Sequence, residues 1–339
     1  MTDGDDGAKI GFTYLSGFDV ERLMLTDAEI LAAVEASLAA QGRGETVVEP
    51  RTHLMPGGGI DGHFNVLRGV IRSAGYAGVK VVGDFVQNYQ RGLPSEMAML
   101  MLFDPQTGVP KAMIDATAIT EMRTGALTAI GAKHLAPAAP KVLGHIGARG
   151  TAYWNVRLLD RLFDFEEIRV HSRRAESREP FAARLSEDLG KTVVATDDWE
   201  SCLDGADVMV EASRLSKPEP LFKTRWIKPG ALVVPYGTMS ALELDIVDRV
   251  AKIVVDDRGQ MRAGPLGALR PHIDAGLVSE DAVHAELGEI CAGAKPGREN
   301  ASETILFWHR GLPTSDIALG AALLEKAAEA GVGRRLPYR

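Results

Sequence analysis

Cysteine is almost missing from these 339 residues: Cys202 and Cys291 are the only two, and they stand far apart. A pair so separated gives neither a disulfide framework nor a metal-ligand spacing. A lone thiol usually behaves as a small hydrophobe, so both are expected to be idle. Histidine is scarce, eight in all, with no metal-like clustering, and no metal is assigned. A surplus of positive charge is also missing. The 38 Lys and Arg against 46 Asp and Glu leave a net charge of −8, so a nucleic-acid partner has no electrostatic support. There is no basic tail or patch for an anionic membrane, and no run approaches the roughly 20 apolar residues that cross a bilayer. The start, MTDGDDGAKIGF, lacks the apolar core of a signal peptide, and a cytoplasmic protein is expected. No internal repeat or long low-complexity run is present.

What remains is an ordinary globular composition, 45% hydrophobic and 25% charged, long enough for two domains at roughly 100–200 residues each. The segment TDAEILAAVEASLAAQG opens with Thr26 and Glu29 at capping-box spacing. Ile30, Val34 and Leu38 then recur at helical period, and Gly42 lies near the end. GVKVVGDF and MAMLMLFD read as strands, and FDPQTGVPKAMID as strand, turn, strand around Asp104-Pro105 and Gly108. A helix is expected from about Ala118 to Leu135, stopped before Pro137.

Beyond APAAP the pattern changes. KVLGHIG, EIRVHS, TVVAT, DVMVEAS, ALVVPYG and KIVVDD are strand candidates, with helical patterns after the first two. Such alternation implies βαβ units, a parallel sheet, and ligand binding beyond the strand C-terminal ends. SDIALGAALLEKAAEAG is a further amphipathic helix that Ser315 or Asp316 would cap. If it packs back on the first domain, that domain is discontinuous.

KVLGHIGARGTAYW runs from strand to helix through a Gly-rich turn, the setting of a dinucleotide fingerprint. Gly147 makes the turn, Gly150 and Ala152 permit close backbone approach, and a helix from about Thr151 aims free N–H groups at a pyrophosphate. Arg149 occupies the second-glycine position. Treated as an insertion, it leaves Gly147 and Gly150 as the loop glycines and frees its guanidinium to meet a phosphate. The next strand ends in His171 and Ser172, then Arg173 and Arg174, with no acid to hold a ribose. Arginines suit a 2′-phosphate, and NADP is expected over NAD.

In the N-terminal half Arg51, Lys80, Ser95 and Arg123 sit at element ends, and two arginines with a lysine in an acidic chain suggest an anion pocket. The ordered series PRT … GVKVV … GLPSEMA … FDPQTGVPKAMIDA … TEMRTGALTA … LGHIG, followed by VVDDRGQ and ELGEICAGAKPGRENASETILFWHRGLPTSDIALG, resembles the ornithine cyclodeaminase/mu-crystallin family over nearly the whole chain. The resemblance implies an α/β fold: a Rossmann-type parallel-sheet domain for NAD(P), residues 121–314, and a discontinuous α+β substrate-binding and dimerisation domain, residues 1–120 and 315–339. It implies a homodimer and chemistry on α-amino or α-imino acids.

Arg51, Lys80 and Arg123 match the family's substrate-carboxylate and catalytic basic positions. Asn65 falls near a Glu that true cyclodeaminases carry, and Arg68 would read a second acidic group. The cofactor set is expected to be Ser95, Thr124, Gly147, Ala148, Arg149, Gly150, Thr151, Ser172, Arg173, Arg174 and Thr238. Cyclodeaminases also have an Asp where this chain has Gly237, beside Thr238. With both acids gone, a diamine loses the carboxylates that would hold and deprotonate it. The expected activity is therefore an NAD(P)H-dependent reduction of an α-imino acid, or amino-acid dehydrogenation. The alternatives are ornithine cyclodeamination and a non-catalytic nucleotide-binding role like that of mu-crystallin.

Overall fold

The computed structural model describes residues 10–262, 264 and 266–339. The acidic start, residues 1–9, on which the expectation about a leader rests, lies outside the described residues. In chain order the elements are β1 (Gly11–Leu15), α1 (Gly17–Leu23), α2 (Asp27–Gly42), β2 (Thr46–Leu54), β3 (His63–Ile71), β4 (Tyr76–Asp84), β5 (Glu96–Phe103), β6 (Pro110–Asp115), α3 (Thr117–Leu135), β7 (Val142–Ile146), α4 (Ala152–Phe163), β8 (Glu167–His171), α5 (Ala175–Leu189), β9 (Val193–Ala195), α6 (Trp199–Leu203), β10 (Val208–Glu211), β11 (Leu232–Pro235), β12 (Lys252–Val255), α7 (Arg270–Asp274), β13 (Val283–Glu286), α8 (Leu287–Cys291), β14 (Ile305–Trp308), α9 (Pro313–Ala330) and β15 (Arg334–Pro337). Internal contacts divide the chain into two units: residues up to Arg123 with Leu312–Arg339, and Thr124–Gly311.

The first unit holds a seven-stranded mixed sheet in the order β15-β1-β6-β5-β4-β3-β2. The strands β2 to β6 form an antiparallel meander. Alternation sets its inner face, since period-2 side chains point to opposite sides. In β4 the inward set is Gly78, Lys80 and Val82, and in β5 it is Ala98, Leu100 and Leu102. Helix α9 packs across β3, β4 and β5, and α2 packs against α9. Ile30, Val34 and Leu38 of α2 are fully buried, and Thr26 and Glu29 close the capping box read from the sequence. Helix α1, not anticipated, starts on a second capping box, Ser16 with Asp19.

One expectation is corrected. Neither Ser315 nor Asp316 caps α9. The helix begins two residues earlier, at Pro313 after Leu312, because proline is pre-set for a first helical turn. Ser315 and Asp316 therefore lie inside that turn, and both are fully buried.

The second unit holds an eight-stranded sheet in the order β13-β12-β14-β11-β10-β7-β8-β9, parallel at every described pairing. Its central strands β10, β11 and β14 are buried along their whole length, as expected for strands covered on both faces, and one core cluster includes Met209, Val233, Leu306, Phe222 and Trp226. From β7 the chain winds outward through β8 and β9, then returns to place β10 on the other flank of β7. That reversal is a topological switch point, with a crevice beyond the C-terminal ends of β7 and β10.

Candidate active site

In the first unit, α9 brings Asp316 down onto the inner face of the sheet. The Lys80 ammonium donates to Asp316 Oδ1 at 2.5 Å and to the Thr120 hydroxyl at 3.0 Å. Arg123 Nε donates to the same Oδ1 at 3.0 Å. The Thr120 hydroxyl itself donates to the Ala116 carbonyl while it accepts from Lys80. Lys80 is 1% exposed and Asp316 0%, so this pair is out of water, where an unbalanced charge is costly. Asp316 sits in the first turn of α9, where the helix dipole favours a negative charge.

Arg51 joins this cluster through a bulge. The β2–β3 register runs Glu49 opposite Arg68 and then Thr52 opposite Val66, so two residues, Pro50 and Arg51, oppose the single Leu67. Pro50 cannot donate to the ladder, which is why pairing slips there. The slip turns Arg51 to the face of Leu67 and its cross-strand partner Lys80. Burial lowers the Lys80 pKa from 10.5 to about 7, with the charges of Arg123 and Arg51 acting in the same direction and Asp316 opposing them. Two buried cations, Lys80 and Arg123, thus share one oxygen of a single carboxylate, with the charge of Arg51 acting on Lys80, and Asp316 Oδ2 has no hydrogen-bond partner among the described residues. Such a cluster is suited to an anionic group.

Asn65 shares this inner face. It pairs with His53 on one side and Val82 on the other, and its Oδ1 is buried with no described partner. His53 and His63 meet edge to face at 5.5 Å. Arg68 is not brought in. The same alternation that turns Leu67 inward sends Arg68 to the opposite face, 3.7 Å from Glu49. The expectation that Arg68 reads a second acidic group of a substrate held at Lys80 therefore meets an obstacle of parity. Ser95 lies just before β5, where its carbonyl accepts from Phe85 N.

In the second unit the loop after β7 has the shape of a dinucleotide turn. Gly147 has φ +116°, and a Cβ there would sit 2.9 Å from the Ala212 carbonyl oxygen. Gly150 has φ +54° with open space beside it. The positive-φ positions fall on these two glycines, and Ala148 and Arg149 keep ordinary backbone angles. Arg149 is exposed, and its guanidinium donates to the Ser177 hydroxyl of α5 at 3.3 Å. That orients it toward the corner where Ser172, Arg173 and Arg174 follow β8; Arg173 and Arg174 are exposed. Thr151 precedes α4 and makes no side-chain capping bond. Thr124 is buried in α3, its carbonyl taken by the Thr128 hydroxyl. Thr238 is exposed after β11. A Gly-lined turn at a switch point, followed by an uncapped helix start, fits a pyrophosphate.

The missing Asp at Gly237 has a steric counterpart. A Cβ on Gly237 would lie 2.6 and 2.8 Å from the two carboxylate oxygens of Glu211. Glu211 ends β10, is fully buried, and accepts from Ser213 N at 2.7 Å. Burial pushes its pKa up to about 7.

Sequence reasoning missed Asp316 as a site residue, together with Thr120 and His53. An Asp in a first helical turn is normally a dipole or capping residue. The only hint was a lone acid within the apolar run that follows it. Cys202 is inert, its thiol pushed up to about 12 by burial. No group of three or more His, Cys, Asp or Glu among the described residues is placed to hold a metal.

Residues 13–331 match the model of a family described as ornithine cyclodeaminase/mu-crystallin. The chain is 32% identical over 330 residues to an alanine dehydrogenase of Archaeoglobus fulgidus, covering 94% of this chain and 96% of that protein. The solved structure of a Δ1-pyrroline-2-carboxylate reductase from Thermococcus litoralis, in complex with NADH and L-proline, matches with a TM-score of 0.88 at 29% identity, covering 96% of this chain and 100% of that one. An archaeal alanine dehydrogenase dimer with bound NAD also matches with a TM-score of 0.88, at 30% identity and coverages of 97% and 100%.

Proposed function

The chain belongs to the ornithine cyclodeaminase/mu-crystallin family, and on that premise we propose that it is an NAD(P)H-dependent reductase of an α-imino acid, acting in reverse as an amino-acid dehydrogenase. The observation that carries this reading is the buried Lys80–Asp316–Arg123 cluster with Arg51 beside it. Arg51 and Arg123 supply planar forks for the substrate carboxylate. Lys80, held by Asp316 and Thr120, has a pKa near the working pH and is suited to give a proton to the imine nitrogen, or to take it back in the reverse direction. A bound reduced nicotinamide supplies the hydride for the C=N carbon. Cyclodeamination is disfavoured because Gly237 and Thr238 offer no carboxylate to a second amine, and the space an Asp would need at Gly237 is taken by Glu211.

The dinucleotide would be held by the turn from Gly147 to Gly150 and the first N–H groups of α4. Arg149, Arg173 and Arg174 favour NADPH over NADH, since guanidinium groups suit a 2′-phosphate. The relatives with NAD or NADH bound support a nicotinamide dinucleotide as such. A homodimer through the first unit is supported by the outer face of its sheet, where Val47 and Met97 are exposed and Val70, Val79, Met99 and Met101 half-buried, and by the dimeric alanine dehydrogenase relative. The test is absorbance at 340 nm with NADPH or NADH against cyclic imino acids, α-keto acids with ammonia or methylamine, and ornithine. Steady loss with an imino acid supports the reading. Proline and ammonia from ornithine with no net change overturns it.

A further inference from the structure

We infer that Tyr236 is a positioning residue for the dinucleotide, its phenol holding Thr151 away from the N–H groups that a pyrophosphate needs. The inference rests on the nucleotide reading above and deepens it.

Tyr236 follows β11, and its ring is fixed from below. It stacks on His309 with centroids 4.7 Å apart and planes 26° from parallel. His309, just past β14, is in turn tied through Nε2 to the Thr128 hydroxyl at 3.0 Å. From that anchored ring the phenol reaches the start of α4. Asn155 Nδ2 donates to the phenol oxygen at 2.7 Å and to the Thr151 carbonyl at 2.8 Å. Thr151 Oγ1 lies 2.8 Å from the same phenol oxygen and is hydrogen-bonded to it.

The consequence lies in what Thr151 does not do. A threonine before a helix normally adopts an extended backbone and accepts from the second or third N–H of the helix. Here Thr151 has φ −65° and ψ −15°, a helical conformation, and no side-chain capping bond. The first backbone bonds run from Ala152 N to the Arg149 carbonyl and from Asn155 N to the Thr151 carbonyl. The N–H groups of Tyr153 and Trp154 receive no acceptor from either the loop or the Thr151 hydroxyl among the described bonds. Those are the groups a cap would occupy and a phosphate would use. Thr26 before α2 shows the contrasting arrangement in the same chain: extended, capping, with its helix start closed.

Removing the phenol oxygen frees Thr151 to close α4 in the same way, in competition with the ligand. The test measures Kd for NADPH and NADH by fluorescence titration of the full-length protein in four forms: wild type, Tyr236→Phe, Thr151→Ala and the double variant. Tyr236→Phe keeps the ring on His309 and is expected to weaken both nucleotides roughly fivefold, the size of one competing cap. In the Thr151→Ala background no cap can form, and Tyr236→Phe is expected to have no further effect. A merely structural role gives additive losses instead, and additivity overturns the inference, as does an unchanged Kd in Tyr236→Phe. Wild-type protein that binds neither nucleotide overturns the underlying nucleotide reading, and the inference with it.

Discussion

Replacing Asp316 by Asn removes the one carboxylate in the buried cluster while keeping its shape. Breaking a buried ion pair from one side usually costs about 3–5 kcal/mol. Here the cost at pH 7 is expected to be lower, because Lys80 already titrates near 7 and can shed its proton. What remains is the loss of a charged hydrogen bond to Arg123, worth about 1.5–3 kcal/mol. The pH dependence is more telling than the size. Lys80 has a folded pKa of about 7 against 10.5 for an ordinary lysine. Between those values the unfolded chain binds one more proton, so stability rises with pH across the window and is lost as pH falls through it. In wild type the loss is complete near pH 7. Asp316 is the group that holds the Lys80 pKa up, so in the variant the window extends further into acid. The destabilisation by Asp316→Asn should therefore grow below pH 7, by about 1.4 kcal/mol per pH unit. Urea unfolding of both proteins from pH 5.5 to 8 measures it. A difference that is flat with pH, or below about 0.5 kcal/mol throughout, would refute the coupling of Lys80 to Asp316.

Lys80→Ala should abolish imine reduction while Kd for NADPH stays within about twofold of wild type, because Lys80 lies in the first unit and the glycine turn in the second; turnover near wild type rejects its catalytic role. Binding of a carboxylate such as L-proline should draw a proton onto Lys80, since a new anion raises its pKa from about 7. Calorimetry at pH 8 in two buffers of different ionisation enthalpy should show that uptake, with affinity falling as pH rises through 7, and identical heats in both buffers would contradict it. Arg173→Ser with Arg174→Ser should lower the ratio of NADPH to NADH affinity roughly tenfold. Wild-type protein that prefers NADH would already overturn the NADP assignment.

The alternation of apolar runs with helical patterns after Pro140 was enough to read a parallel α/β sheet, because strands covered on both faces are apolar throughout. The glycine turn was also legible, with Gly147 and Gly150 carrying the positive φ angles despite Arg149 between them. The basic trio could be named from the resemblance, but not its geometry. Whether Arg51 faces Lys80 depends on a slip at Pro50, and Arg68, three residues beyond Asn65, falls on the other side of the same strand. Strand register is a tertiary property, and a shift of one residue reverses every side chain. Asp316 was hidden for a different reason. It lies 236 residues from Lys80 and in a position where an acid ordinarily serves its own helix.

In the proposed reaction a hydride moves from a reduced nicotinamide to the carbon of a C=N bond beside a carboxylate. Single-turnover reaction with NADPH deuterated at C4 on the transferred face, an imino acid substrate and mass spectrometry of the amino acid formed tests this directly. The product should carry one deuterium at its α-carbon, and none when Lys80→Ala replaces the wild type. An imino acid consumed without label, or label that stays wholly in the nucleotide under every imino acid offered, would contradict it.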